Sequence, residues 1–113
     1  MSSLFKVTTF NVNSLRARLE VVIPWLQANE PDVLCLQETK VRDTDFPEAA
    51  FTDAGWNVVY HGQKSYNGVA IISRHPIEET ARGLNSDGLD EQARLIRAKV
   101  ADIHIINAYV PQG

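Results

Sequence analysis

Polar side chains that could carry chemistry stand at three places where apolar strands end. Asn11 and Asn13 follow the first apolar run, Gln37 and Glu38 follow the run VLCL, and Tyr109 comes near the end of the last run. We expect the ends of neighbouring strands to meet at one rim of a sheet, where loops present functional groups on a rigid scaffold. A carboxylate, amides and a phenol at one rim could bind a hard cation and a phosphate. Mg²⁺ takes one or two carboxylates, keeps several waters and is shared with substrate phosphate, so Glu38 alone indicates half of a metal site.

Each of these residues also has a simpler interpretation. A glutamate followed by Lys40 is typical of a solvated strand exit, and asparagines often form turns by bonding their own loop backbone. Tyr109 could be a core aromatic residue with its hydroxyl at the surface. Cys35, which lies between two leucines, is expected to be a small buried apolar residue. The residues alone leave these alternatives open.

The apolar runs predict about six strands and two helices. The strands are expected at Leu4–Phe10, Val33–Leu36, Trp56–Tyr60, Gly68–Ser73, Leu95–Val100 and Ile103–Val110, with Ile77–Ala81 as a short edge strand. An apolar stripe predicts a first helix over Leu19–Ala28, in which Pro24 is tolerable if it belongs to the first turn. A second helix is expected to start near Asp45, as a possible cap, and Pro47, and to end at Gly55.

Several of these strands are apolar enough to be covered on both faces, among them the runs VLCL, GVAII and HIINAYV. Two helices can cover one face of a sheet, and no further segment of the chain is left to cover the other. The sequence therefore predicts that a layer of the fold is missing from these 113 residues.

Composition excludes several classes of protein. A hydrophobic content of 44% with 22% charged residues excludes a disordered chain, and no run approaches the roughly 18 apolar residues of a membrane helix. The single cysteine excludes a disulfide framework, the three histidines lack zinc-ligand spacing, and the start lacks a secretory signal. Eleven basic and 14 acidic side chains give a net charge of −3, which disfavours nucleic-acid binding by bulk charge but leaves a local basic patch open.

Four segments, taken in order, are far more specific than any single residue: FNVNSLRAR, PDVLCLQETKV, SYNGVAIIS and NAYVPQG. They resemble the exonuclease III family of metal-dependent DNA-repair nucleases, which includes abasic-site endonucleases and belongs to the endonuclease/exonuclease/phosphatase superfamily. The resemblance implies an α/β (α+β) fold that is half of a four-layer α/β/β/α sandwich, with one mixed, mainly antiparallel sheet of about six strands and about two helices on one face. It also implies Mg²⁺-dependent hydrolysis, with Mn²⁺ as a substitute, of double-stranded DNA at abasic sites or 3′ ends, in a bacterial-type cytoplasm at the nucleoid.

The same resemblance assigns roles to individual residues. Glu38 matches the metal-binding glutamate, Asn11 matches an asparagine that orients the catalytic aspartate, and Tyr109 matches the tyrosine beside the target phosphate. Asn13 stands where some relatives have an aspartate near the metal, so a second metal contact there is in doubt. The positions that match DNA contacts are Arg16, Tyr66, Asn67 and Arg94.

The family's remaining motifs, a DxN segment, a further aspartate and a terminal SDH, follow the PQG strand and have no counterpart here. We therefore expect residues 1–113 to be an N-terminal half-domain that is inactive alone, because the water-activating aspartate and the catalytic histidine are missing. One alternative is a non-catalytic half-domain that forms a homodimer through an exposed sheet face. Another is a phosphoesterase of the same superfamily with a different substrate.

Overall fold

The computed structural model describes residues 4–63, 67–82 and 93–109. Its elements, in chain order, are β1 (Val7–Asn11), α1 (Leu15–Asn29), β2 (Val33–Gln37), a 3₁₀ turn (Asp43–Asp45), α2 (Glu48–Thr52), β3 (Asn57–His61), β4 (Val69–Ser73), β5 (Ile77–Arg82), β6 (Leu95–Val100) and β7 (Ile103–Ala108). Within these ranges no helix is long and apolar enough to cross a membrane.

The strands form two sheets. The first has the order β1-β2-β4-β3, with β1 and β2 parallel and the other pairs antiparallel. The second has the order β5-β6-β7 and is antiparallel throughout. The predicted α/β class, with mainly antiparallel pairing and few helices, is confirmed, whereas the prediction of a single sheet is wrong.

Alternate residues of β2 face two different cores. Leu34 and Leu36 pack with α1 and α2 on one side of the first sheet. Val33 and Cys35 pack on the other side against Ile96 and other apolar residues of the second sheet. Because side chains alternate across a strand, one short apolar run supplies both cores. The described residues thus form three layers: helices, first sheet and second sheet.

The expectation of a missing layer on the first sheet is therefore wrong. The face that was expected to be exposed is covered by β6 and β7, which belong to this chain. An inward-facing alternation such as Ile96, Ala98 and Val100 looks the same whether its strand extends a sheet or stacks on one. The apolar pattern does not specify which strands pair, and it therefore cannot distinguish one sheet from two stacked sheets.

The helices also depart from the predicted bounds. α1 begins at Leu15, where Ser14 caps it by accepting a hydrogen bond from the Ala17 amide at 3.4 Å, so Pro24 lies in the helix interior rather than in its first turn. Asp45 is not a cap: its carboxylate accepts a hydrogen bond from Arg42 Nε at 2.7 Å. α2 starts later, at Glu48, and ends at Thr52.

The loop Glu38–Lys40, here called the rim loop, is held by main-chain hydrogen bonds on both sides. They run from Ser14 N to Glu38 O (2.8 Å), from Leu15 N to Thr39 O (2.9 Å), from Thr39 N to Gly68 O (3.2 Å) and from Lys40 N to Asn67 O (2.9 Å). Glu38 and Lys40 both adopt φ of +56°, a left-handed conformation that costs free energy for residues with a side chain. The four bonds offset that cost and fix the backbone that carries Glu38.

Gly68 is the residue that lets the chain approach the rim loop. Its φ is +100°, and a Cβ there would lie 2.1 Å from Thr39 Oγ1 and 3.1 Å from Lys40 N. Both the conformation and the space therefore require glycine.

The opposite end of β2 is anchored by Asp32. Its buried carboxylate accepts hydrogen bonds from Lys6 N (2.7 Å), His75 Nε2 (2.7 Å) and Arg74 Nε (3.4 Å). The Lys6 amide first, and the His75 ring second, hold the pKa of Asp32 below its ordinary value. This carboxylate ties the chain before β1 to the turn after β4.

Substituting Gly68→Ala should lower the free energy of unfolding by more than Gly55→Ala does. Gly55 has a similar φ of +91° but open space around its Cβ position, so its variant carries only the backbone strain, about 1 kcal/mol. Gly68→Ala adds the clash with Thr39, which should bring the loss to about 2–3 kcal/mol. Urea denaturation of both variants measures the difference, and equal losses would contradict a close approach at the rim loop.

Substituting Asp32→Asn should weaken the fold at neutral pH by about 1–3 kcal/mol, because a charged acceptor of three hydrogen bonds is lost. Since the folded pKa of Asp32 is lowered, its contribution is complete above the ordinary value of 3.8 and is lost as pH falls through the folded value. Wild-type stability should therefore fall more steeply than that of the variant on acidification below about pH 5. Thermal unfolding at several pH values checks this, with Asp53→Asn, at the exposed C-cap of α2, as the control.

Candidate active site

Asn11 and Glu38 meet at one end of the parallel pair β1–β2. Their strands are in register, with Asn11 opposite Gln37, so both chains leave the sheet at the same rim. Asn11 Nδ2 donates a hydrogen bond to Glu38 Oε2, and Asn11 Oδ1 accepts one from Asn13 N at 3.1 Å. Because the oxygen of the Asn11 side-chain amide already accepts the bond from Asn13 N, the nitrogen of that amide has to face the carboxylate. The structure thus brings together the pair that the sequence places on separate strands.

Lys40 and Asn13 complete this cluster. Lys40 Nζ donates to Asn13 Oδ1 at 2.6 Å and lies 3.8 Å from Glu38 Oε1. Since the side chains of Lys40 and Glu38 are partly exposed, the ion pair itself adds at most about 1 kcal/mol. The ion pair shows that the Glu38 carboxylate lies where it can attract a positive charge, here the ammonium group of Lys40. The sequence pattern predicts only a solvated strand exit at Lys40. The one signal of its place in the cluster is that it lies two residues after Glu38.

The donor set fits part of the coordination shell of a hard divalent cation. The Glu38 carboxylate and the Asn13 amide oxygen are the kind of ligands that Mg²⁺ uses. Across residues 4–63, 67–82 and 93–109, no three carboxylate, histidine or cysteine side chains converge. A cation at Glu38 would displace the Lys40 ammonium and take its other ligands from water, from substrate, or from groups beyond the described residues.

Tyr109 reaches the same rim from the second sheet. It directly follows β7, its amide donates to Arg94 O at 2.7 Å, and its half-buried side chain packs against the core between the two sheets. The neighbouring ends of β2 and β7 are joined by a 2.8 Å hydrogen bond from Gln37 Nε2 to Asn107 Oδ1. Glu38 is one residue beyond the donor and Tyr109 two beyond the acceptor, so both leave their sheets at this junction.

The residues assigned to DNA contact lie in different environments. Arg16 is exposed in the first turn of α1. Asn67 is only 5% exposed and donates to Gln63 Oε1 at 3.0 Å, while its carbonyl holds the rim loop. The Nε of Arg94 is buried with no hydrogen-bond partner among the described residues. Tyr66 lies outside them. The DNA contacts of all four residues stay predictions.

Comparison with known proteins shows the family. Residues 8–111 match the model of the Endonuclease/Exonuclease/phosphatase family. Exodeoxyribonuclease III of Haemophilus influenzae is 38% identical over 112 residues, which cover 96% of this chain and 42% of that protein. DNA repair nuclease APEX1 of Danio rerio is 30% identical, with 96% of this chain and 36% of that protein covered. The chain thus spans about two fifths of the length of these curated relatives.

Solved structures agree with this assignment. An AP endonuclease from Archaeoglobus fulgidus superposes with a TM-score of 0.93 at 56% identity, covering 97% of this chain and 42% of that one. A 3′-5′ exonuclease from Neisseria meningitidis gives 0.88 at 47% identity, with 92% and 41% covered. A Neisseria 3′ phosphatase bound to a product DNA hairpin gives 0.90 at 46% identity, with 94% and 41% covered. The resemblance seen in the four sequence segments is confirmed: the chain belongs to the endonuclease/exonuclease/phosphatase family, with exodeoxyribonuclease III and AP endonucleases among its relatives.

Proposed function

We propose that this chain supplies the metal-binding glutamate, an asparagine that orients the catalytic aspartate, and the phosphate-binding tyrosine of a Mg²⁺-dependent DNA-repair phosphodiesterase. The observation that carries the proposal is the cluster of Asn11, Asn13, Glu38 and Lys40, built at the rim where the strand of Tyr109 also ends. Double-stranded DNA with an abasic site or a 3′ end is the proposed substrate, because relatives are described as exodeoxyribonuclease III and AP endonuclease.

Each side chain has a distinct part in the proposed hydrolysis. Glu38 would hold the divalent cation, which when bound polarises a phosphoryl oxygen and stabilises charge on the leaving oxygen. Asn11 donates a hydrogen bond to one carboxylate oxygen of Glu38, and it would orient a catalytic aspartate that lies outside the described residues. The Tyr109 phenol would donate a hydrogen bond to the phosphate as negative charge builds up there. Arg16, exposed beside the rim, would contact the DNA backbone.

The proposed site is incomplete within the described residues. In the part of the chain that the structure describes, Glu38 is the single carboxylate of the cluster, and no histidine joins it. Hydrolysis also needs a group that positions or deprotonates the attacking water. We propose that this group comes from the part of the relatives' length that the chain does not span, that residues 1–113 are an N-terminal half-domain, and that the 113-residue chain alone does not turn over DNA. The complete enzyme would act at the nucleoid in the cytoplasm.

In a full-length protein that contains this chain, Glu38→Gln should lower the rate of abasic-site cleavage about 10²-fold or more, because the cation loses its charged ligand. Incision of a labelled duplex with Mg²⁺, repeated with Mn²⁺, measures the rate. Glu20→Gln, an exposed glutamate of α1, is the matched control and should leave the rate unchanged. Full activity of Glu38→Gln would refute the role of Glu38, and turnover by the 113-residue chain would refute the incomplete site.

One relative favours a second substrate within the same chemistry. The Neisseria structure described as a 3′ phosphatase holds a product DNA hairpin. A phosphomonoester at a DNA 3′ end presents non-bridging oxygens to a cation and a phenol as a diester does, although it has one ester oxygen fewer. Comparing an abasic duplex with a duplex ending in 3′ phosphate in the same assay separates the two substrates.

Self-association of the 113-residue chain is a candidate of another class. The sheet face expected to drive it is covered, so the surface that favours it is instead the edge of β1, which pairs with no second strand among the described residues. Val7 and Phe10 are 51% and 41% exposed there, and a groove of about 240 Å³ runs between β1 and α1. An unpaired apolar edge strand can pair with its copy about a two-fold axis.

Light scattering of the isolated chain should therefore give the mass of a homodimer at micromolar concentration. Phe10→Lys should return it to a monomer, since charge on an edge strand opposes pairing. Ile106→Lys, at an even more exposed apolar position on β7, should leave the dimer intact. A folded wild-type monomer would contradict self-association through this edge.

A further inference from the structure

Asn107 is a buried polar residue at the junction of the two sheets. It lies on β7 and is 3% exposed. Its Nδ2 donates to the carbonyl oxygens of Leu36 on β2 and Ala70 on β4, each at 2.8 Å. One side chain of the second sheet thus bonds the main chain of two strands of the first. A buried amide satisfied in this way is a directional link, in contrast to the apolar contacts around it.

The hydrogen-bonding groups allow only one orientation of this link. Carbonyl oxygens accept and never donate, so the nitrogen of Asn107 has to face Leu36 and Ala70. Its oxygen then faces Gln37, whose Nε2 donates to it at 2.8 Å. The same Gln37 nitrogen donates to Thr9 Oγ1 on β1 at 2.7 Å. The two amides therefore connect β1, β2 and β4 of the first sheet with β7 of the second.

This link adjoins the candidate site along the chain. Gln37 precedes Glu38 in the chain, and Asn107 is two residues before Tyr109. Ile105 and Asn107 both point into the space between the sheets, and the Tyr109 side chain packs there as well, which continues the alternation of the strand. Glu38 follows a strand of the first sheet and Tyr109 follows a strand of the second, so the distance between them depends on how the two sheets pack on each other. Apolar packing is non-directional and tolerates sliding, whereas the Gln37–Asn107 bond does not.

We propose that Asn107, together with Gln37, is a positioning residue for phosphodiester hydrolysis that fixes the phenol of Tyr109 relative to the carboxylate of Glu38. The inference rests on the proposed function and adds to it a role for two residues that touch neither cation nor substrate. A misplacement of about 1 Å between catalytic groups can cost about 10²-fold in rate, so a link of this kind has a measurable effect.

The kinetic test uses a full-length protein that contains this chain and an abasic-site duplex with Mg²⁺ in excess. Asn107→Leu and Gln37→Met remove the bond with little change of volume, and each should lower kcat by about 10- to 100-fold while KM stays within about 2-fold. The double variant should be little worse than the poorer single variant, because both lose the same interaction. Gln37→Met, at a half-buried position, serves if Asn107→Leu fails to fold.

Asp32→Asn separates positioning from simple loss of stability. It also removes a buried polar link, but at the opposite end of β2. It should lower the unfolding temperature without changing kcat at temperatures where the protein is folded. If the Gln37 and Asn107 variants keep wild-type kcat, or if Asp32→Asn loses kcat to the same extent, the positioning role is overturned.

A fluorine NMR measurement keeps this inference distinguishable from the proposed function. In protein labelled with 3-fluorotyrosine, the resonance of Tyr109, assigned by Tyr109→Phe, should shift or broaden in the Gln37 and Asn107 variants, while that of Tyr60 should not. An unchanged Tyr109 resonance in both variants overturns the inference even if the enzyme is active. If the wild-type protein shows no turnover, the proposed function is overturned, and so is the effect of the link on kcat. A shifted Tyr109 resonance in the variants would then still support control of Tyr109 by the link.

Discussion

The main-chain clamp on the rim loop is the constraint on which the rest of the site depends. Residues after β1 and before β4 bond the loop from both sides, which stabilises left-handed conformations at Glu38 and Lys40. Without those bonds the chain after β2 would relax to an extended path, since such conformations are unfavourable for residues with side chains. The direction of Glu38, its pairing with Asn11 and its approach to Lys40 all follow from this local backbone.

The rim loop can present Glu38 at the candidate site only if the helices and the two sheets pack in the correct relative positions. Alternation along β2 assigns Leu34 and Leu36 to the helical core and Val33 and Cys35 to the core between sheets. The Cys35 thiol reflects this environment, because burial raises its pKa to about 11 and keeps it neutral. Apolar burial on both faces supplies the stability, and two of the buried polar residues, Asp32 at one end and Asn107 at the other, supply the alignment.

Much of this arrangement could be predicted from the sequence, and the reasons for the failures are physical. Runs such as VLCL specify a strand covered on both faces, and parallel strand ends place Asn11 and Glu38 together. The apolar pattern does not encode which strand pairs with which, so it predicts one sheet with an uncovered face where the structure has two stacked sheets. Nor does it encode hydrogen bonds between distant loops. The bond from Leu15 N to Thr39 O at the start of α1, and the bond from Lys40 to Asn13 in the candidate site, are therefore outside what the pattern predicts. The place of Tyr109 near the end of the last apolar run makes it a candidate, and only the family resemblance predicts its role beside the phosphate.

The clamp around the rim loop also bears on how such a site changes over evolutionary time. Its bonds use backbone N–H and C=O groups, which every residue except proline provides. The same bonds can therefore form with other side chains in the loop, as long as those residues can adopt its left-handed conformations. An insertion or deletion of one residue, however, would put the donors and acceptors out of step with both neighbours at once. The hydrogen bonds of the loop thus do not depend on the identity of its side chains, but they do depend on its length.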